Sequence, residues 1–325
     1  MRNSPYDERS TVSCTLVCLS LVVSPLTLAA QDADIVQHFK RMTGATEWQL
    51  AGTIALPFQT HHPQGMVIVG DNIFFSSVEV TLPTERYERP AGRYDRTPGE
   101  GVGHLFRVDR DGNLIARITL GEGSVYHPGG IDFDGRFIWV PVAEYRPNSR
   151  SIIYRVDPST MAVTEVLSVD DHIGAIVHDT ASAMLHGVSW ASRFFYAWEL
   201  DDSFELAVSE SGPAARRVPN GSHYVDYQDC HYVADHQMLC GGVATHEVRA
   251  VGDSAGHEFT LGGLDLIDLQ SQRAVHQVPI AWRTESGIAM SRNAFFVELG
   301  DDHLRFFFLP EDDESTIYIF EAFPG

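Results

Sequence analysis

The stretch HPQG at residues 62–65 returns as HPGG at residues 127–130, and this repeat decides the fold. After each copy comes an apolar strand, then a turn with glycine (Gly70, Gly135), then an apolar-aromatic strand. Two further strands close each unit, which gives a four-stranded meander. Self-similarity of this kind is typical of repeat architectures, and a repeat made of short strands indicates a β-propeller.

Three weaker copies of the repeat open at DHIG (171–174), DYQD (226–229) and ESG (285–287). The strand from Trp48 to Leu56 precedes the first blade, so we expect it to complete the last blade by pairing with the strand from Thr316 to Phe323. Pairing of the chain ends leaves no open sheet edge. The predicted fold is therefore all-β, a β-propeller of five four-stranded blades closed by its N- and C-terminal strands.

The 325 residues divide into three parts. Residues 1–30 have the pattern of a secretory signal peptide, with two arginines before an apolar run that ends in Ala29-Ala30. Residues 31–46 are expected to hold a short helix (34–42) and a linker, and residues 47–325 a single propeller domain. No later segment has the ~20 apolar residues of a membrane span. The mature chain is therefore expected to be secreted or periplasmic.

Charge and cysteine content limit the partners and the compartment. The formal net charge is −21, which argues against nucleic acid because such a protein repels phosphate. It is compatible with attraction for cations or with a solvated acidic surface. After cleavage two cysteines remain, Cys230 and Cys240, on either side of a predicted hairpin turn at residues 234–237. In an oxidising compartment they can form a disulfide, and a reactive thiol is the alternative.

Propeller topology predicts where the chemistry lies. The loop before the first strand of a blade and the loop between its second and third strands share one face of the disc. We therefore expect the unusual polar residues to surround one mouth of the central channel, where a small-molecule ligand would bind. The predicted ligand-binding residues are Glu79, Trp190, Arg193, Gln228 and Glu285.

Three histidines at equivalent positions of three blades suggest a metal site, because neutral imidazole is the commonest metal ligand. The predicted metal ligands are His62, His127, His172 and Asp229. Histidine ligands suit zinc or iron, whereas added carboxylates lean towards calcium or manganese, so the identity of a divalent metal stays open. Alternatively, each histidine caps its own blade by bonding to backbone, or acts in catalysis without a metal.

The same mouth holds the predicted catalytic residues, His127, Glu144, Tyr145 and Arg146. A histidine would serve as base, Tyr145 as acid and Arg146 as partner of an oxyanion or carboxylate. The insert at residues 81–103 carries four arginines and two tyrosines. It is either a cationic lid over an anionic small molecule or a solvated loop paired with acidic neighbours.

Four stretches carry a family resemblance: HHPQG (61–65), YHPGGIDFDGRFIWVPVAEYRPNS (126–149), DHIG (171–174) and YQD (227–229). Together they resemble a family of exported propeller proteins of bacteria and fungi, known as a domain of unknown function. The chain is more distantly similar, in fold only, to lactonase and strictosidine-synthase-like propellers. The resemblance implies a propeller and carries no reaction. The positions that match its motifs are His62, His127, Glu144, Tyr145, Arg146, His172, Gln228 and Asp229.

Two functions are compatible with this pattern. The first is an extracytoplasmic enzyme, with or without a metal, that acts as lyase or hydrolase on a small molecule, which its arginines suggest is anionic. The alternative is a non-catalytic propeller that binds a ligand or a protein. The fourth and fifth repeats depart from the histidine pattern, and this asymmetry favours a single central site over one site per blade.

Overall fold

A computed structural model describes residues 34–206, 217–248 and 256–324. The predicted signal peptide, residues 1–30, lies outside the described residues. Within them, no helix has the length and apolar character needed to cross a membrane.

Five four-stranded antiparallel sheets form a ring, which confirms the predicted β-propeller. Strand β1 (Glu47–Ala55) precedes the first blade. Blade 1 and its inserted hairpin comprise β2 (His62–Val69), β3 (Asn72–Leu82), β4 (Arg86–Ala91), β5 (Tyr94–Arg96), β6 (Glu100–Asp109) and β7 (Leu114–Leu120). The sheet order is β2-β3-β6-β7, and β4 pairs with β5 as a separate hairpin.

The inner strand of blade 2 is split into two short pieces, and the third blade has a very short outer strand. Blade 2 comprises β8 (His127–Pro128), β9 (Asp132–Phe133), β10 (Ile138–Ala143), β11 (Ser151–Val156) and β12 (Val163–Val169). Blade 3 comprises β13 (Ile173–Asp179), β14 (Met184–Ser189), β15 (Phe194–Glu199) and β16 (Val218–Pro219), with a 3-10 turn at Trp190–Ser192.

Blade 5 is the one that closes the ring. Blade 4 comprises β17 (Asp226–Ala234), β18 (Gln237–Val248), β19 (His257–Asp268) and β20 (Arg273–Ile280). Blade 5 comprises β21 (Ala294–Leu299), β22 (Leu304–Leu309) and β23 (Thr316–Phe323), preceded by a 3-10 turn at Met290–Arg292. Strand β1 pairs antiparallel with β23, from Glu47 opposite Phe323 to Ala55 opposite Thr316. This confirms the predicted closure by the two chain ends.

The fifth blade begins later than the repeat predicted. Its inner strand starts at Ala294, and Glu285 lies on the exposed part of the loop before it. Gly287 occupies a left-handed turn with φ of 86°, and its N–H donates to the carbonyl of Thr284. The sequence ESG therefore forms a tight surface turn. Arg292 and Asn293 occupy the position just before the inner strand.

Burial explains why the strands nearer the channel carry apolar runs and the outermost strands do not. All six residues of β10 are buried, whereas β1 and β7 have mostly exposed residues. The space between blades 2 and 3 is filled by Trp139, Ile176 and Tyr196. A short helix, α1 (residues 34–41), packs Phe39 and neighbouring apolar residues against blades 4 and 5.

One buried carboxylate, Asp229, joins the inner strands of four blades. Its oxygens accept the N–H groups of Met66 (2.9 Å), Ile131 (3.0 Å) and Phe295 (3.2 Å), which belong to blades 1, 2 and 5. They also accept the N–H of Cys230 in its own blade, at 3.1 Å. Near the channel axis, the converging inner strands do not pair with one another. Asp229 therefore supplies the hydrogen-bond acceptors that their backbone N–H groups need.

The glycines of the HPQG and HPGG repeat make this convergence possible. A Cβ on Gly65 would lie 2.9 Å from Asp229 Oδ1 and closer still to the backbone of Ile131. A Cβ on Gly130 would lie 2.8 Å from the same oxygen. Any larger residue would displace the strands from the axis.

The two cysteines form the predicted disulfide, Cys230–Cys240. They face each other directly across β17 and β18 and are fully buried. The intervening hairpin turns at Asp235 and His236, both with positive φ, as a two-residue type I′ turn requires. The interpretation as a covalent link is confirmed.

Candidate functional site

Five aromatic and imidazole side chains meet at one end of the channel, and we call this group the mouth: His62, His127, His172, Tyr145 and Trp190. The ring centroids of His62 and His127 are 6.4 Å apart, and those of His127 and His172 are 6.1 Å apart. Tyr145 stacks on His127 at 4.1 Å. Trp190 packs edge-on against His172 at 4.8 Å and lies 5.7 Å from Tyr145. The structure thus brings together residues from three blades that sequence reasoning placed on one face.

His127 is the unusual member of the mouth. It is 5% exposed, and neither ring nitrogen has a hydrogen-bond partner among the described residues. Burial, together with the neighbouring His172 and His62, holds the pKa of His127 well below its ordinary value. A buried neutral imidazole with two unpaired nitrogens is unfavourable for folding, and such groups in native structures indicate a functional role or a bound molecule.

The other two histidines have fixed tautomers. His172 Nδ1 lies 2.9 Å from the carbonyl oxygen of Glu144, so it donates and leaves Nε2 with a lone pair. His62 Nδ1 lies 2.7 Å from Asp312 Oδ1, so it donates in the same way. Burial lowers the pKa of His172 to about 4, which keeps this imidazole neutral at physiological pH.

Asp312 is a site residue that sequence reasoning missed. Besides His62, it accepts Arg292 Nη2 at 2.8 Å and Asn293 Nδ2 at 3.1 Å. Burial disfavours its charge, but His62 and Arg292 outweigh burial and lower the pKa of Asp312 to about 2. It follows β22 in blade 5, 250 positions from His62. Only the ring closure brings the two together.

The arginines at this face are paired with carboxylates. Arg146 Nε donates to Glu144 Oε2 at 2.7 Å, and its guanidinium lies 3.5 Å from the centre of the Tyr94 ring. Arg96 forms a two-bond pair with Asp95 and lies over Trp190 at 5.2 Å. The hairpin β4–β5 therefore reaches from blade 1 to blade 3 across the mouth. Two of its arginines are paired with carboxylates, Arg93 with Asp170 and Arg96 with Asp95.

The remaining predicted residues lie in different surroundings. Glu144 is buried and accepts Ser124 Oγ at 2.6 Å in addition to Arg146. Arg193 Nη2 donates to Asp226 Oδ1 at 2.6 Å. Gln228 is half-buried on β17, and exposed Glu285 lies near Tyr318 in blade 5. Asp229 differs from the three mouth histidines in function, because its side-chain oxygens accept hydrogen bonds from backbone N–H groups.

A second polar cluster lies in blade 1 and consists of His61, Glu79 and His104. Glu79 Oε2 is 3.4 Å from His104 Nε2 and 3.8 Å from His61 Nε2. Among the described residues this is the one group of three or more His, Cys, Asp or Glu side chains placed to hold a metal ion. Sequence reasoning singled out Glu79 but missed His61 and His104.

The register of two strands could have revealed this cluster. Ser77 of β3 pairs with His104 of β6, and Glu79 pairs with Val102. Residues two apart on a strand share a face, so Glu79 and His104 are diagonal neighbours on one side of the sheet, within reach of long side chains. The sequence pattern predicts both strands, but it does not fix how they align, and the cluster depends on that alignment.

The opposite end of the channel opens into a cavity of about 990 Å³. Asp132, His231 and Tyr232 contribute its polar lining, and Phe133 and Phe296 its apolar lining. His231 Nε2 donates to the carbonyl oxygen of Phe295 at 2.8 Å. Burial opposes its charge, but the Asp229 and Asp132 carboxylates outweigh burial and raise the pKa of His231 to about 10. The neighbouring carboxylates thus favour the protonated form of His231, while burial raises the pKa of its partner Asp229.

Residues 19–324 match a family described as a family of unknown function, DUF6454. The chain belongs to this family. No curated protein sequence matches it significantly.

Solved structures with a similar fold include enzymes of several kinds. The mannose phosphorylase MPT-4 of Leishmania mexicana, solved with a phosphate ion, is 9% identical, with 89% of this chain and 93% of that chain covered and a TM-score of 0.50. A luciferin-regenerating enzyme is 9% identical, with 86% and 95% covered and a TM-score of 0.45. Hydrazine synthase of Kuenenia stuttgartiensis is 14% identical, with 81% and 59% covered and a TM-score of 0.37. The chain thus spans 59% of that hydrazine synthase chain, and these likenesses concern the fold alone.

The buried histidines predict a stability maximum near neutral pH. Burial lowers the pKa of His172 and of His186 to about 4. When the pH lies below the ordinary pKa of histidine, unfolding therefore lets each of these imidazoles bind a proton. Stability is then lost as pH falls from about 6.5 to about 4, by roughly 3 kcal/mol for each histidine. The raised pKa of His231 acts in the opposite direction, and its contribution is lost as pH rises from about 6.5 towards 10.

Urea unfolding at pH 4.5, 6.5 and 9 measures this profile. The free energy of unfolding should be highest at pH 6.5, and His172→Asn should flatten the acid side. A free energy that stays constant between pH 4.5 and 6.5 would contradict the neutral state of these histidines.

Proposed function

We propose that the protein is an extracytoplasmic enzyme that performs acid–base chemistry, as a lyase or hydrolase, on a small polar molecule at the mouth. One observation carries the proposal: the His62–Asp312 pair, 2.7 Å between Nδ1 and Oδ1, lies beside a buried His127 whose two ring nitrogens have no hydrogen-bond partner in the described part of the chain. A carboxylate on Nδ1 orients an imidazole and keeps Nε2 basic, which is the arrangement of a general base.

Each mouth residue has a role in this proposal. His62, whose side chain is 26% exposed, accepts a proton at Nε2, from the attacking water in a hydrolysis or from the substrate in an elimination. Burial raises the pKa of Tyr145, so its hydroxyl stays protonated at neutral pH and serves as the proton donor. His127 binds a polar group of the substrate through its unpaired nitrogens. Trp190 and Tyr145 supply the flat apolar surface against which a small ring or chain packs.

Charge balance narrows the substrate class. Arg146 is paired with Glu144, Arg96 with Asp95 and Arg292 with Asp312. An anionic substrate would have to displace one of these carboxylates, whereas a neutral polar molecule meets neutral imidazoles and a phenol. We therefore propose a neutral substrate, such as an ester or lactone, over the anionic molecule that the arginine content suggests. Arg146 then positions Glu144, whose carbonyl oxygen fixes the tautomer of His172.

A metal at the mouth stays a prediction. His62 and His172 both donate through Nδ1 and leave Nε2 free, as histidines bound to metals commonly do. A divalent ion would then be held by His62, His127 and His172, without the side chain of Asp229, and would replace the role of His62 as base because it occupies the same Nε2 lone pair. The metal content of the His62→Ala/His127→Ala variant, compared with that of wild type and of Glu79→Gln, tests this prediction.

The disulfide supports the proposed extracytoplasmic location. Disulfides form and persist in oxidising environments and are rare in the reducing cytosol. The buried Cys230–Cys240 link and the export pattern of residues 1–30 both support secretion or a periplasmic location.

Replacement of His127 by leucine tests the proposal. Because neither nitrogen has a hydrogen-bond partner among the described residues, His127→Leu should leave the free energy of unfolding unchanged or raise it by about 1 kcal/mol. The same change should abolish turnover in a panel of aryl esters and small lactones that wild-type protein hydrolyses. His257→Leu removes an exposed imidazole outside the mouth and should keep full turnover.

The outcomes separate function from structure. Loss of turnover without loss of stability supports a functional His127. A variant that loses stability instead would make His127 a structural cap of its blade. Absence of turnover by wild-type protein, with binding retained, would favour the non-catalytic alternative.

A further inference from the structure

We propose that His61, Glu79 and His104 form a site for a divalent transition metal of the zinc class, separate from the mouth. The proposal does not rest on the function proposed above. His61 and His62 are adjacent in sequence, but their side chains serve different groups: His61 stacks on His104 at 5.1 Å between ring centroids, and His62 binds Asp312.

The distances fit a small tetrahedral ion. Zinc bonds to nitrogen and oxygen of about 2.0–2.1 Å separate neighbouring ligand atoms by about 3.3 Å at tetrahedral angles. The oxygen of Glu79 is 3.4 Å from one imidazole nitrogen and 3.8 Å from the other, and all three ligand atoms lie within 4.8 Å of one another. The two distances from Glu79 exceed this ideal by about 0.1 and 0.5 Å, which small rotations of the partly exposed Glu79 side chain can remove.

The donor set also fits this class of metal. Two imidazole nitrogens and one carboxylate oxygen are the ligands of many zinc centres that keep a fourth position for water. The side chain of Glu79 is 43% exposed, while those of His61 and His104 are 9% and 5% exposed. Solvent and metal can therefore reach the cluster from the side of Glu79.

The backbone of His61 and the orientation of His104 are both compatible with a built site. His61 has φ of 58°, in the left-handed region that non-glycine residues seldom occupy. Such backbone conformations concentrate at functional sites. His104 is buried, and its Nε2 is the ring nitrogen that faces Glu79, at 3.4 Å from Oε2. Two stacked imidazoles beside a single carboxylate are well explained by a shared cation.

Zinc titration of the full mature protein tests the site. After treatment with a chelator and dialysis, calorimetric titration with zinc chloride should show one equivalent bound. Glu79→Gln keeps the side-chain shape but removes the charged ligand, and should weaken binding at least about tenfold. Glu100→Gln removes a nearby exposed carboxylate on β6 and should bind zinc as wild type does. Cobalt in place of zinc should give the visible absorption of a tetrahedral ion in wild type and lose it in Glu79→Gln.

Three results would contradict the proposed metal site. Wild-type protein that binds no zinc, or Glu79→Gln protein that binds it as tightly as wild type, would overturn the site. Zinc binding that survives in Glu79→Gln but is lost in His62→Ala/His127→Ala would also overturn it, and would place the metal at the mouth.

Discussion

Replacement of Asp229 by alanine is expected to lower the free energy of unfolding by at least about 5 kcal/mol. The change leaves the N–H groups of Met66, Ile131 and Phe295 without partners inside the channel, and each unpaired buried group costs about 1–3 kcal/mol. It also leaves the His231 cation without the carboxylate 3.5 Å from its Nε2. Removal of one member of a buried ion pair alone costs about 3–5 kcal/mol.

Urea unfolding of three variants measures this effect. Asp229→Asn keeps one acceptor oxygen but loses the charge, so its loss should be smaller, about 3 kcal/mol. Asp111→Ala changes an exposed aspartate in a turn of blade 1 and should stay within about 0.5 kcal/mol of wild type. An Asp229→Ala protein as stable as the Asp111 control would show that the channel carboxylate does not hold the blades together.

Replacement of Asp312 by asparagine is expected to lower kcat/KM about 100- to 10,000-fold, with little change in KM. Asparagine can present its amide N–H to His62 Nδ1, which favours the tautomer with the proton on Nε2 and removes the basic lone pair from the mouth. Asp312 is a positioning residue, because it acts on the substrate through His62.

The pH dependence distinguishes positioning from a structural effect. Asp312→Asn should alter the dependence of kcat/KM on pH, because it changes which ring nitrogen of His62 carries the proton. Asp312→Glu, which restores a carboxylate, should recover part of the activity. Equal activity of Asp312→Asn and wild type across the pH range would remove Asp312 from the mechanism.

The repeat was enough to predict the propeller because each copy combines local turn chemistry with strand patterning. HPQG and HPGG mark the inner strands, and their glycines are required where the strands meet Asp229. Pairing of the first and last strands could be predicted because an unpaired sheet edge is unfavourable, and β1 does pair with β23. The fifth repeat was misplaced because ESG is a surface turn, whose glycine serves a local conformation.

The mouth was predictable only in outline. Equivalent positions on successive blades placed His62, His127 and His172 together, and the loops of neighbouring blades added Tyr145 and Trp190. The partners of these residues were beyond prediction, because they depend on side-chain geometry across the ring. Asp312 lies 250 positions from His62 in the sequence. The hydrogen bonds of Asp229 come from backbone N–H groups of three other blades.

The most direct measurement of the central claim is a double-mutant cycle on His62 and Asp312 with the best substrate from the ester and lactone panel. If Asp312 acts through His62, His62→Gln should lower kcat/KM at least about 100-fold, and adding Asp312→Asn should cause no further loss. Losses that multiply in the double variant, or turnover that persists in His62→Gln, would contradict a catalytic His62–Asp312 pair at the mouth.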